Sequence, residues 1–578
     1  MIFIRETTRG RSIPALFLVI FVLITIIIGC SDSDDDDSPN SINNSTPSVS
    51  ISTYQESLEE DNQIDMNALS QNLAPYIPPQ CYTKVLDENE QAHNPCYTCH
   101  INGKHPNPVD DRFLQSEYSL PPEVSFNPWA NFFKNRQTEL SKITDSEILT
   151  YVRTSNYLAA NNTIKIAEEL PEEWPGYRPD CYFNFDEDGF DINPNTGEMT
   201  GWRAFRYQPF LGTFWPTNGS FDDVLIRLPE SFRVDVNERL STEVYKYNLA
   251  VVEALIKQTS INTEPINEQL TNCDLDGNGI IQTADKIDWA SLNNCPSHFA
   301  GAAGELEKSG EIFFNPGLYP KNTGFLHSLR YIDWNDASDI PSMAERFKEL
   351  RYMKKVKYLS AEKLQDLYNQ DQFEDTDKDE SSIDSFFGDF STGVYTERGW
   401  VLQGFIEDTN GELRPQTKEE TVYCAGCHSN IGAISDGTFA FPRKFYNSNG
   451  WEHWTQQGLQ GVDDQTVHYE NFGDVKEYAF YLEQNGYGDE FRENEEVREK
   501  FFTENGELNQ DMLSRMEDDI TVLLYPSRER ALKLNKLYKI IVEEQSFNQG
   551  REALTEGALN VYMKVVPNMG SGLEEVIY

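Results

Sequence analysis

Two pentapeptides limit what this chain can fold into: Cys96-Tyr97-Thr98-Cys99-His100 and Cys424-Ala425-Gly426-Cys427-His428 both read C-x-x-C-H. That spacing brings two thiols within reach of the two vinyl groups of one porphyrin, and the next residue presents an imidazole to the iron. A fold built on two such motifs has to pack its elements around two large cofactors. With 9 Cys and 8 His in 578 residues, composition alone yields roughly 0.002 chance matches. The competing reading is a pair of zinc or disulfide C-x-x-C motifs. Zinc needs four ligands, and the only further Cys or His close to either motif are His93 and His105, beside the first.

The N-terminus points to export, which haem attachment requires. Arg5, Arg9 and Arg11 precede an apolar stretch from Ile13 to Ile28, followed by Gly29 and Cys30. A positive end, a short hydrophobic segment and a small residue before the cut make a secretory signal over residues 1–29. Ile27-Ile28-Gly29-Cys30 resembles the bacterial lipobox, which implies cleavage before Cys30 and its acylation. The alternative, an uncleaved membrane anchor, needs a longer stretch than this one. Serine follows Cys30, where aspartate would resemble the bacterial inner-membrane retention signal, so the outer membrane is expected, with the protein facing the periplasm or the cell surface. Residues 30–75, opening on Asp32 and Asp34 to Asp37, are expected to be an acidic disordered tether. Such segments also resemble surface-export tethers.

The two motifs resemble c-type cytochromes over ten residues of the chain. Carried over, the resemblance implies covalent haem c at two sites, with Cys96 and Cys99 as thioether anchors and His100 as axial ligand. Cys424, Cys427 and His428 take the same roles at the second. The segment Gly201-Trp202-Arg203-Ala204-Phe205-Arg206-Tyr207 resembles a group of bacterial di-haem lipoproteins, a likeness that implies no activity. The two motifs lie 328 residues apart, His100 to His428, too far for a tandem duplication of one small cytochrome domain.

The second axial position decides between carrier and catalyst, since an open iron binds substrates and a filled one only passes electrons. His327, in the apolar and aromatic run Gly324 to Tyr331, is the candidate ligand; the alternative is a hydrogen-bonded core histidine. His105 and His453 are weaker candidates, as are the thioethers of Met353, Met563 and Met569. Apart from Cys30 and the haem cysteines, Cys81, Cys181, Cys273 and Cys295 remain. Four cysteines in an oxidising compartment read as two disulfides, with three pairings open. Cys273–Cys295 with Cys81–Cys181 is preferred, and free buried thiols are the alternative.

Asp274, Asp276, Asn278, Gln282 and Asp285 place oxygen donors at positions 1, 3, 5, 9 and 12 of a loop. Gly279 stands at position 6 and the carbonyl of Ile280 serves position 7. The loop resembles EF-hand and dockerin loops, which implies one structural calcium. Asp186 to Asp191 and Asp375 to Asp379 are looser acidic turns.

Organisation is mixed. Residues 76–235 are expected to hold the first haem, 236–330 a helix and the calcium loop, and 331–578 a helical second haem domain. Helices are expected at Ser241–Lys257, Pro341–Gln370, Lys476–Gln484, Asn509–Leu523 and Ser527–Gln545. Strands are expected at Trp202–Gln208 and Asp223–Leu228. The fold class is therefore mixed and mainly α-helical, with long irregular segments, a few short strands and cytochrome-like regions around two haems. A net charge of −47 excludes nucleic acid as a partner and favours a redox protein with a basic docking patch. The expected function is electron transfer by a lipid-anchored di-haem cytochrome; the alternative is a di-haem peroxidase or oxidase with one open iron. No motif names a catalytic residue.

Overall fold

The computed structural model describes residues 50–62, 77–86, 89–94, 96, 103–107, 115–118, 125–209, 219–367, 369, 386–428, 435–446, 450–469, 471–486, 494–552, 554–566, 569–574 and 576. The signal, Cys30 and the acidic turn at Asp375 to Asp379 lie outside them.

A ten-stranded antiparallel sheet organises the molecule, which corrects the mainly helical expectation. Its strands are β1 (Phe190–Ile192), β2 (Met199–Phe205), β3 (Phe221–Asp222), β4 (Val224–Arg227), β5 (Gly324–Asn335), β6 (Ile340–Lys355), β7 (Phe387–Asp389), β8 (Gly393–Tyr395), β9 (Trp400–Glu407) and β10 (Leu413–Pro415). The order is β7-β8-β9-β6-β5-β4-β2-β1, with β3 paired to β5 and β10 to β9. One sheet thus takes strands from both sides of the boundaries expected at 235 and 330.

The correction has a definite cause in β6. Met343, Phe347, Leu350 and Met353 carry helix-like spacing, yet residues 340–355 form a 16-residue strand. The polar residues between them do not form a solvent face. Arg346, Lys348 and Glu349 are buried, with Arg346 Nε donating to Glu407 Oε1 at 2.7 Å and Lys348 Nζ to the Gly219 carbonyl at 3.1 Å. A strand buried on both faces shows no clean alternation, so periodicity pointed to the wrong element.

Several local signals did specify their elements. Helix α1 (Thr242–Lys257) starts at the Ser241 cap, and α4 (Arg528–Glu544) at the Ser527 cap. Between them in sequence lie α2 (Lys418–His428) and α3 (Glu477–Asn485). Helix Ile51–Asn62 falls inside the expected tether: Tyr54 meets Trp174 edge-on at 6.2 Å, and Ile51 and Leu58 pack on the same core. That apolar face explains why the segment is ordered.

Two cores cover the two sides of the sheet. Phe205, Ile226, Phe325, Met353 and Leu402 pack with Val251 of α1, with Val422 and Ala425 of α2 and with Phe441. Trp202, Leu225, Leu326, Leu350 and Phe405 pack with Tyr157, Trp174 and Cys181. Each fully buried apolar side chain of this size contributes about 1.5–3 kcal/mol. Phe325 and Leu326 show strand alternation dividing the layers. Among the described residues no helix is long and apolar enough to cross a membrane.

Candidate functional site

The second C-x-x-C-H motif forms the last turns of α2. The signal for this helix was present in Thr417 and Glu420. The Glu420 amide donates to Thr417 Oγ1 at 3.2 Å and the Thr417 amide to Glu420 Oε2 at 2.8 Å, a capping box. Glu420 also receives both terminal nitrogens of Arg414, at 2.8 and 2.9 Å. This buried two-pronged pair ties α2 to β10 and sets the position of everything downstream on the helix.

On α2, Cys424 and Cys427 lie three residues apart, so they share a helix face, and His428 ends the helix. His428 Nδ1 meets the Gly437 carbonyl at 3.1 Å. This bond assigns the proton to Nδ1 and leaves Nε2 with its lone pair available to a metal, the usual arrangement for a ligating histidine. Gly437 is itself fixed: its φ is +78°, and an added Cβ would sit 3.1 Å from Trp400 ring atoms, so only glycine fits. The neighbouring Asp436 pairs with Lys355, accepts the Tyr319 amide at 2.8 Å, and donates its own amide to Asn107 Oδ1 at 2.7 Å. Burial pushes His428 down to about 4 and the Cys427 thiol up to about 12.

Cys424 and His428 open onto a mainly apolar cavity whose floor is the sheet. Phe325 and Met353 are cross-strand partners there, as are His327 and Arg351. Met353 and Leu402 pair in turn. Phe439, Ala440 and Tyr207 complete the wall. His327 therefore shares one cavity with His428, although its Nε2 is engaged by Asp222 Oδ2 at 2.8 Å. Sequence spacing could not reveal Asp222, which lies 105 residues away and reaches His327 through strand pairing.

Other histidines of the described region also have carboxylate partners: His298 with Glu307 at 2.5 Å, His453 with Asp223 at 3.0 Å and His468 with Asp474 at 2.7 Å. Met353 lines the cavity, while Met563 is exposed. His105 is exposed and its carbonyl accepts from Gln258 at 2.8 Å. Of the first motif only Cys96 is described, with its amide donating to Asn94 Oδ1 at 3.1 Å; Cys99 and His100 lie outside the described residues.

Cys273 and Cys295 are bonded, with Cα atoms 4.8 Å apart. The preferred second pairing is not formed. Cys181 is buried in the core beneath the sheet with Tyr157 and Trp202, whereas Cys81 packs with a separate cluster around Trp129 and Tyr423.

The acidic loop connects the strands of a hairpin, Ile261–Asn267 with Thr283–Ile287, not two helices. Asp274 and Asp276 come together with Glu268, a residue the sequence reading missed, with oxygens within 4.8 Å of one another. Asn278 Oδ1 accepts the Ile280 amide at 2.7 Å, and Gln282 donates its amide to Glu268 Oε2 at 2.8 Å. Asp285 stands exposed on the second strand and is not part of the cluster. At the other acidic turn, Asp191 is taken by the Tyr182 and Asn184 amides and Asp188 by Lys246, leaving little for a cation.

Known proteins agree on the anchor. A family model described as a “-like lipoprotein” matches residues 65–520. An uncharacterized lipoprotein from Aquifex aeolicus (strain VF5) is 30% identical over 550 residues, covering 87% of this chain and 89% of its own. No solved structure matches.

Proposed function

The chain belongs to this lipoprotein family, and from that premise we propose that it is a lipid-anchored c-type cytochrome that transfers electrons at the membrane surface. The observation that carries the reading is the end of α2. Two thiols on one helix face stand beside an imidazole oriented through Gly437, with Cys424 and His428 opening on a mainly apolar cavity, and this donor set fits a covalently held haem. Bound there, a haem supplies a one-electron couple.

The chain's own residues do the rest. Cys424 and Cys427 hold, His428 ligates through Nε2, and Gly437 fixes the ring and raises its basicity through the Nδ1 bond. Phe325, Met353 and Leu402 exclude water, which lowers the local dielectric and so tunes the potential. Cys96, Cys99 and His100 have the same roles at the first site. Cys30 is the acylated residue, and the anchor is the outer membrane. The charge of −47 would speed encounter with a partner bearing a basic patch and make it salt-sensitive. One calcium held by Glu268, Asp274 and Asp276 would brace the disulfide-linked hairpin.

Spectroscopic redox titration of the full chain, matured in a host that attaches haem c, tests the function. Reversible one-electron waves and salt-dependent electron exchange with a basic cytochrome are expected. A protein that takes no haem, or holds haem that does not cycle, would sink the reading. Calcium is tested separately by thermal melting, where added Ca²⁺ should raise the wild-type midpoint and leave that of Asp274→Ala unchanged.

A further inference from the structure

Sequence context makes His327 the candidate for the second axial position, and the cavity offers a rival. Besides Cys424 and His428, the side chains lining it present haem iron with a nitrogen lone pair at His327 and a sulfur at Met353. Tyr207 and Tyr352 on the same wall keep their protons, since burial raises both hydroxyls. The two donors differ in what already holds them. His327 Nε2 meets Asp222 Oδ2 at 2.8 Å, and an ionised carboxylate only accepts, so the ring proton sits on Nε2. The lone pair is then on Nδ1, beside the ring carbon that bears Cβ. An iron there would drive the side chain's own methylene against the porphyrin plane.

Met353 carries no such commitment. Its side chain is buried, and its cross-strand neighbours are Phe325 on β5 and Leu402 on β9. Both are apolar, which leaves the thioether, a weak hydrogen-bond acceptor, to a soft metal. Strand register also favours it. Gly437, whose carbonyl fixes His428 Nδ1, packs on Trp400: a Cβ on Gly437 would lie 3.1 Å from indole atoms and 3.4 Å from the His428 carbonyl. Trp400 stands two residues before Leu402, on the same face of β9, and both join the core that holds Met353 and Ala425 of α2. The loop that orients His428 is thereby seated beside the Met353 row. His327 and its partner Arg351 stand one row further on, about 6.5 Å along the strands.

We propose that Met353 is the sixth ligand of the haem held by Cys424, Cys427 and His428, and that His327 is a wall residue which Asp222 keeps off the iron. The inference rests on the haem reading above and deepens it. A thioether opposite an imidazole raises the reduction potential. With both axial positions filled, this haem passes electrons and has no open site for peroxide, which selects the carrier over the peroxidase at the second motif.

The test uses the full chain with haem attached, as wild type and as Cys96→Ser/Cys99→Ser, which leaves only the haem at Cys424 and Cys427. Ferric EPR, near-infrared spectra and a redox titration are read on each. The expected second haem is low spin and shows the charge-transfer band of a thioether-ligated ferric iron. Met353→Leu, which keeps the bulk of the side chain, should abolish that band and give a high-spin iron that takes up cyanide. Met353→His should lose the band, stay low spin and have a lower potential. His327→Ala should change neither band nor spin state. A high-spin second haem before any substitution at Met353, or one without the band, would overturn the proposal. So would unchanged spectra in Met353→Leu, and so would a high-spin signal created by His327→Ala, which would make the imidazole the ligand. If the first-haem variant does not fold, the difference between wild-type and Met353→Leu spectra isolates the second haem and still decides. A haem count of zero at Cys424 and Cys427 is a separate result that removes the underlying reading instead.

Discussion

Asp222 and Asp223 are sequence neighbours, and each holds a histidine by Nε2, His327 at 2.8 Å and His453 at 3.0 Å. The pairs share their chemistry and differ in their surroundings. Asp223 also accepts the Ser328 amide and hydroxyl, both at 2.7 Å. His453 is stacked on Phe185 at 4.7 Å, and the side chains of this pair are 4% and 1% exposed. The side chains of His327 and Asp222 are 30% and 16% exposed and face a cavity. A closed polar pair locks β5 to the segment carrying His453, whereas an open one can meet a ligand.

The comparison predicts unequal stability. His453→Ala leaves Asp223 buried without its main partner and should cost about 3 kcal/mol, read by chemical denaturation. Equal losses in His453→Ala and His327→Ala would break the comparison. Cys295→Ser supplies a scale for that loss, because opening a disulfide that spans 22 residues should cost about 3 kcal/mol.

Acid should separate the pairs next. Burial would raise the Asp223 carboxyl, but the hydrogen bond and charge of His453, with Arg330 and Ser328, hold it below the ordinary 3.8. A carboxyl depressed on folding adds stability above its unfolded value, and that stability is lost as pH falls through the folded one. Stability of the wild type should therefore drop below about pH 4, and Asp223→Asn, weaker at neutral pH, should show a shallower drop. A parallel profile would contradict the assignment.

The smallest effects belong to the open pair. His327→Ala should cost no more than about 1 kcal/mol, as partly exposed pairs do. Asp222→Asn should move stability by about 0.5 kcal/mol, read by chemical denaturation.

How much of this was legible in the sequence depended on range. Ser241 and Ser527 marked their helices because caps act within one turn. The bond between Cys273 and Cys295 was legible because the closed loop is short. The sheet was hidden because Arg346, Lys348 and Glu349 resemble a solvent face in sequence, although partners distant in sequence satisfy them in the interior. Glu268 and Asp222 escaped for a related reason: hairpin register brings the first to the acidic loop, and pairing of β3 with β5 brings the second to His327. The motif cysteines and His428 were legible as a donor set. The helix carrying them was also written in Thr417 and Glu420, a signal the motif itself overshadowed.

The central claim is covalent haem at the end of α2. Its most direct measurement is haem content by pyridine haemochrome and intact mass on the matured full chain, beside Cys424→Ser/Cys427→Ser. The account predicts two haems in the wild type and one in the variant. A wild-type protein without covalent haem, or a variant that keeps both haems, would contradict it.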